Sequence, residues 1–296
     1  MNYKKPDRPY LDVHNHFGRT INRAPTVGQN VAMCLARFAQ TGIHAALGMS
    51  TATGSPILHG AADIRAHNET TARAMRDHPD RFPVGLALAE VRFGEQGLVE
   101  LDRAISELGL HGFVDHPPFN ESSLPFIEVA AAHNGLVNLH CHTELMRKIA
   151  NMFPNATFIV HASTWAADNM ASCENCIFEI VQYPDGRGSV WDFEQLASKV
   201  GSDRIVFGAD LPYYDYRQLQ QLIESAPIPE ELKDKIAWKN AETLFRRFNP
   251  TWKMPSSPPT APRVYPDDWL WAVNPDKTDR LIVDVVRGPA STVVLK

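Results

Sequence analysis

Two histidines near the start of the chain have the spacing of metal ligands. His14 and His16 close a short apolar run at residues 11–16. In a β-strand, side chains two residues apart point the same way, so the two imidazoles would converge with Asp12 on the same face. Neutral imidazole is a strong ligand for Zn²⁺, Fe²⁺ or Mn²⁺. The pattern therefore indicates a metal site or, as the alternative, a strand end whose histidines bind nothing.

Further side chains that can bind metal or transfer protons follow later apolar runs. They are Asp115, His116, His140, His142, His161 and Asp210. Each alone has an ordinary explanation as a turn, cap or core residue. Together they require four separate strands to place such a residue at the same end, which favours a shared site over coincidence.

The runs that carry these residues recur at a regular interval along the chain. We predict strands at residues 10–14, 44–49, 83–89, 112–115, 136–140, 157–161, 176–181 and 204–210. Apolar residues at helical spacing predict helices between them, at 27–41, 61–78, 95–108, 124–132, 144–152, 193–200 and 216–226. Eight strands alternating with helices indicate the α/β class and a (β/α)₈ TIM barrel, whose strand C-termini open onto one face.

An open, doubly wound sheet is the alternative architecture. No Gly-x-Gly-x-x-Gly motif follows the first strand, so nothing in the sequence favours a dinucleotide cofactor.

The composition changes after residue 249. Six prolines crowd residues 250–266, and proline-rich chain cannot be helical. We therefore predict a barrel over residues 1–249 and a C-terminal extension over 250–296, which packs on the barrel or on a partner subunit.

The net charge of the chain indicates which classes of binding partner to expect. The 296 residues include 29 Lys and Arg against 34 Asp and Glu, a net charge of −5. Because no basic excess is present to neutralise phosphates, the charge argues against nucleic acid and anionic membranes as partners, and a small-molecule substrate is expected. Without an apolar leader or an apolar run of about eighteen residues, we expect a cytoplasmic location.

Five segments in order resemble the amidohydrolase superfamily, at residues 11–16, 112–117, 139–140, 158–161 and 204–212. The similarity is to the amidohydrolase-related branch, which contains aminocarboxymuconate-semialdehyde decarboxylases, aromatic-acid decarboxylases and lactonases. Residues 236–245 resemble the closing helix of that branch. The resemblance covers roughly residues 8–249 and leaves the extension unexplained.

The resemblance implies a ligand set and a metal count. The implied ligands are His14, His16, His140 and Asp210, with His161 beside the bound water. His142 shares a strand face with His140 and could replace it. Val114 occupies a position at which the related branch often has lysine, so one divalent metal is expected, zinc first, with manganese or iron as alternatives. The resemblance also implies a homodimer.

Such a site suits a metal-activated water, and the first expectation is a hydrolase of a lactone, amide or related carbonyl compound. Asp210 or His161 would take the proton as catalytic residues. The alternatives are a metal-dependent non-oxidative decarboxylase and a catalytically silent metal-binding barrel. Candidate substrate-binding residues are His142, Asp115, His116, Arg19, Phe17, Trp165 and Tyr213, although packing beneath loops explains the aromatic ones equally well.

Overall fold

The computed structural model describes residues 3–20, 27–50, 60–115, 121–139, 144–181 and 192–262. The strands are β1 (Tyr10–Thr20), β2 (Val27–Gln29), β3 (Ile43–Ser50), β4 (Val84–Leu88), β5 (Gly112–Asp115), β6 (Leu136–Leu139), β7 (Thr157–His161), β8 (Cys176–Ile180) and β9 (Ile205–Phe207). The α-helices are α1 (Val31–Thr41), α2 (Ala61–Asp77), α3 (Gly94–Ser106), α4 (Leu124–Ala132), α5 (Glu144–Met152), α6 (Thr164–Asn169), α7 (Phe193–Val200), α8 (Tyr216–Ser225), α9 (Glu230–Asp234) and α10 (Asn240–Phe248), with a π-helical turn (Lys235–Lys239) joining the last two.

Eight parallel strands form a nearly closed barrel. The sheet order is β2-β1-β3-β4-β5-β6-β7-β8-β9, in which only the short β2 is antiparallel. The barrel closes between β1 and the segment after β9, where the His16 amide donates to the Leu211 carbonyl over 2.8 Å. Because helices alternate with these strands, the predicted (β/α)₈ barrel is confirmed. No helix in the described ranges is long and apolar enough to cross a membrane.

The barrel interior is filled by apolar side chains from alternate strand positions. Leu11, Leu47, Leu86 and Ile159 belong to this inner cluster, whereas their strand neighbours pack outward against the helices. Successive strand side chains point to opposite faces, which separates the two layers. The inner cluster continues into Phe245 of α10, so α10 closes the end of the barrel at which the strands begin.

The described part of the C-terminal extension lies along that same end. Trp252 is buried, and its indole nitrogen donates to the Asp80 carbonyl over 3.0 Å. Farther along, the Pro255 carbonyl lies 2.9 Å from the His44 ring. The stretch from Trp252 to Pro255 therefore contacts the barrel, while residues 263–296 of the extension lie outside the described residues.

One glycine is required by the close approach of two neighbouring strands. Gly112 opens β5 with φ +145°, and a Cβ at this position would lie 1.8 Å from the Leu136 carbonyl oxygen. Gly112→Ala is therefore expected to lower the free energy of unfolding by roughly 2–6 kcal/mol, since backbone strain and overpacking act together. Chemical denaturation measures the loss.

Gly109 provides the matched control, because it also has a positive φ of +72° but a Cβ added there would meet no atom within 4 Å. Gly109→Ala should cost only the backbone contribution, about 1–2 kcal/mol. Equal losses in the two variants would contradict the proposed steric clash at Gly112.

Candidate metal centre

Three of the predicted ligands converge at the open end of the barrel. His14 Nε2 lies 2.8 Å from His16 Nε2. Asp210 Oδ1 lies 3.4 Å from the first of these nitrogens and 3.3 Å from the second. Both histidines are fully buried, whereas 12% of the Asp210 side chain is exposed. The structure thus brings two imidazoles and one carboxylate around a common centre that opens on the side of Asp210.

An irregularity in β1 aims the two histidines. Asp12 pairs with Ala46 of β3 but Asn15 with Gly48, so three steps along β1 match two along β3. Such a β-bulge changes which face each following side chain occupies. The expectation that Asp12 shares the face of His14 is therefore wrong, because the bulge separates them.

Asp12 stabilises the backbone around the site through hydrogen bonds. One carboxylate oxygen accepts from the backbone amides of His14 and Ala209, each over 2.9 Å, and the other accepts from the Tyr216 hydroxyl over 2.7 Å. Burial raises the pKa of Asp12 to about 7, against the opposing effect of these hydrogen bonds. Asp12 thereby ties β1 to the segment that carries Asp210.

A backbone carbonyl orients the His16 ring, and the backbone conformation of Asp210 directs its side chain. His16 Nδ1 lies 3.1 Å from the Ser50 carbonyl at the end of β3, so it can donate there and present Nε2 to the centre. Asp210 has φ 52°, a left-handed conformation that aspartate tolerates better than most residues.

A second carboxylate, which no sequence motif predicts, lies on the side of the His14 ring that faces away from His16 and Asp210. Glu179 Oε1 is 2.9 Å from His14 Nδ1 and 2.8 Å from His161 Nε2. Glu179 is fully buried at the end of β8, in register with His161 of β7. Gly208 makes room for it, because a Cβ there would lie 2.8 Å from Glu179 Oε2. The only sequence feature that could have pointed to Glu179 is that it is a single acidic residue inside the otherwise apolar run 176–181.

Burial and charge act in opposite directions on this cluster. Burial lowers the pKa of His14, but the negative charges of Glu179 and Asp210 outweigh it and raise that pKa. Burial likewise opposes ionisation of Glu179, whose pKa is nevertheless held low by the positive charges of His14 and His161. For His16 burial prevails, and the pKa falls. The histidines thus differ in how strongly each holds a proton.

The donor set fits one divalent cation. Imidazole nitrogen and carboxylate oxygen are the protein ligands that Zn²⁺, Mn²⁺ and Fe²⁺ use. Asp210 Oδ1 is buried yet accepts no hydrogen bond from any described residue, although two ring nitrogens lie within 3.4 Å of it. A buried carboxylate oxygen without a donor is costly, and a cation shared with the two nitrogens would satisfy it.

Three of the residues predicted to contact substrate can be placed relative to the centre. Tyr213 is near the centre, with its ring 5.9 Å from the His16 ring in an edge-on arrangement. Trp165 lies half-buried on α6, just after His161. Phe17 does not fit its expected contact with substrate, because it follows His16 on the strand, faces the opposite side and packs against Phe82 at 5.1 Å.

The side chains of the remaining predicted site residues are not among those that the structure describes. His116, His140 and His142 lie outside the described residues. Arg19 and Asp115 have described backbones within β1 and β5, whereas their side chains are not among those described. The choice between His140 and His142 as a further ligand therefore stays a prediction.

Comparison with known proteins identifies relatives of this barrel. A family model described as Amidohydrolase matches residues 11–247. No curated protein sequence matches the chain.

Several solved structures share the fold. The 5-carboxyvanillate decarboxylase of Sphingomonas paucimobilis has 15% identity and a TM-score of 0.60, over 80% of this chain and 99% of that one. The 2,6-dihydroxybenzoate decarboxylase from Rhizobium has 14% identity and a TM-score of 0.59, over 81% and 99%. A dihydroxybenzoic acid decarboxylase from Polaromonas, with bound manganese and 2-nitroresorcinol, has 15% identity and a TM-score of 0.59, over 81% and 97%. At these identities the likeness concerns the fold.

Proposed function

The chain belongs to the amidohydrolase family, and from that premise we propose that it is a metal-dependent, non-oxidative decarboxylase of a small aromatic carboxylic acid. The observation that carries the proposal is the convergence of His14, His16 and Asp210 at the open end of the barrel. Similarly folded proteins named as decarboxylases of 5-carboxyvanillate and dihydroxybenzoates favour this reaction over the hydrolysis that the sequence led us to expect first.

We assign the metal to His14, His16 and Asp210, with His140 or His142 as a further predicted ligand. Zinc is the first expectation from the sequence, but the manganese of the Polaromonas enzyme favours Mn²⁺. A divalent cation held there supplies Lewis-acid chemistry, because it attracts anionic substrate oxygens and stabilises charge that develops on them.

Asp210 is the residue placed to transfer the proton. Decarboxylation breaks the bond between a ring carbon and the carboxylate carbon, carbon dioxide leaves, and the ring carbon gains a proton. Asp210 is more exposed than the histidines beside it, so substrate can approach its carboxyl group. Its carboxyl group donates the proton to the ring carbon and recovers one from solvent.

Other side chains shape the substrate's surroundings. Tyr213, edge-on to His16 and partly exposed, provides an aromatic surface against which a planar ring can pack. His161 lies beside His14, with ring centroids 5.5 Å apart, where it can hold a proton near the reacting groups. These residues orient the ring while Asp210 acts on it.

A substrate panel with two separate readouts tests the proposal. Purified protein loaded with Mn²⁺ is incubated with hydroxybenzoates, vanillate-type acids and aromatic or sugar lactones, and both released carbon dioxide and ring opening are measured. We expect carbon dioxide from at least one aromatic acid, its loss on chelation and its return when Mn²⁺ is restored.

Lactone opening without carbon dioxide would instead support the hydrolase, the second interpretation of the same site. A protein that binds Mn²⁺ but turns over no member of the panel would contradict the proposal and favour a silent metal-binding barrel.

A further inference from the structure

Glu179 joins two histidines of the site through one oxygen atom. Its Oε1 lies 2.9 Å from His14 Nδ1 and 2.8 Å from His161 Nε2. These are hydrogen-bond lengths for nitrogen donors to a carboxylate. A carboxylate oxygen accepts, so each nitrogen that faces it carries a hydrogen.

This pairing decides which nitrogen of His14 is available to a cation. When His14 gives up its Nε2 proton, the hydrogen on Nδ1 stays with Glu179, and the neutral imidazole has its lone pair on Nε2. His14 Nε2 is the atom that faces His16 Nε2 at 2.8 Å and Asp210 Oδ1 at 3.4 Å. The carboxylate thus selects the tautomer of His14 that the centre requires.

The same oxygen holds the second ring in place. His161 lies on β7, the strand next to β8, and its hydrogen bond to Glu179 sets its ring 5.5 Å from that of His14. His14 and Glu179 are fully buried and His161 is only 2% exposed, so no bulk water competes for these hydrogen bonds.

We propose that Glu179 is a positioning residue, which fixes His14 as an Nε2 ligand and holds His161 beside it through one shared carboxylate oxygen. The inference rests on the proposed metal site but not on the identity of the substrate. Carboxylates hydrogen-bonded to metal-bound histidines typically change metal affinity about 10- to 100-fold when removed.

The alternative is that Glu179 itself binds a second cation. His14, His161 and Glu179 are close enough to one another to be ligands of one ion. Against this, the same carboxylate oxygen, Oε1, faces both nitrogens, and each distance is a normal hydrogen-bond length. We therefore expect one Mn²⁺ per chain.

Two substitutions separate geometry from charge. Glu179→Leu removes the acceptor at similar volume, and Glu179→Gln keeps an acceptor oxygen without the negative charge. Metal-free protein is titrated with Mn²⁺, and the electron paramagnetic resonance signal of free Mn²⁺ gives the Kd and the stoichiometry without substrate. We expect E179L to raise the Kd about 10- to 100-fold, and E179Q about 3- to 10-fold, because charge-assisted hydrogen bonds become neutral ones.

Glu100 provides the matched control. It is a buried glutamate on α3 that also accepts from two side chains, Asn68 over 3.0 Å and Arg103 over 2.7 Å. Glu100→Leu should lower the unfolding temperature of the metal-free protein but leave the Mn²⁺ Kd within about twofold, since its hydrogen bonds lie outside the site.

Several results would overturn the inference. These are an unchanged Kd in E179L, no binding by the unaltered protein, or a second Mn²⁺ that E179L abolishes. If E179L does not fold, E179Q decides, and an unchanged Kd there overturns the inference as well. Absence of decarboxylation by the unaltered protein would count against the proposed function alone, because the Kd is measured without substrate.

Discussion

His16→Ala is expected to lower kcat/KM for decarboxylation by roughly 1,000-fold, because several kcal/mol of metal-derived stabilisation are lost at about 1.4 kcal/mol per tenfold change. His16 is fully buried, and its Nε2 lies 2.8 Å from His14 Nε2 and 3.3 Å from Asp210 Oδ1. No other described side chain at the centre can replace this nitrogen. Bound Mn²⁺ per chain and kcat/KM, measured on the same preparations, check the prediction.

His133 is the matched control for this substitution. It is an exposed histidine after α4 that pairs with Asp102 over 3.1 Å, away from the centre. His133→Ala should leave metal content and kcat/KM within about twofold, as is usual for surface changes. If H16A lost its metal but kept full activity, the metal-dependent mechanism would be wrong and a structural role for the cation would be favoured.

The local elements of the barrel can be predicted well where the sequence marks their ends. The helix predicted over residues 124–132 has the bounds observed for α4, because a proline lies in its first turn and His133, Asn134 and Gly135 follow its end. The three-residue β2 is not predicted, and its residues fall within the helix expected over 27–41. β2 is held in place by its pairing with β1, which no local sequence pattern indicates.

The site residues likewise include some that the sequence predicts and some that it does not. His14, His16 and Asp210 are predictable because each follows an apolar run, and parallel strands bring their C-terminal ends together. Glu179 lacks such a motif and is 165 residues away from its partner His14. The orientation of Asp12 depends on a bulge in the β1–β3 pairing, and register between strands is a tertiary property. The role of Glu179 and the orientation of Asp12 could therefore not be predicted, because both arise only when distant strands pair.

Asp210→Asn is expected to lower kcat roughly 100- to 10,000-fold, the usual contribution of a positioned general acid. A carboxamide has nearly the same shape but cannot donate a carboxylic proton to the ring carbon. Because Asp210 is also a proposed ligand, kcat is measured at Mn²⁺ concentrations that a titration has shown to be saturating for the variant. In deuterated water, the unaltered enzyme should place one deuterium on the carbon that lost the carboxylate.

Asp203 separates this effect from a general change of charge. It is a mostly exposed aspartate that pairs with Lys235 over 2.8 Å before β9, and Asp203→Asn should leave kcat within about twofold, as expected of a surface site. A D210N enzyme that held Mn²⁺ and kept normal kcat would show that Asp210 is not the proton donor. The proton would then come from another group at the centre, and His161, whose ring lies 5.5 Å from that of His14, would be the next residue to substitute.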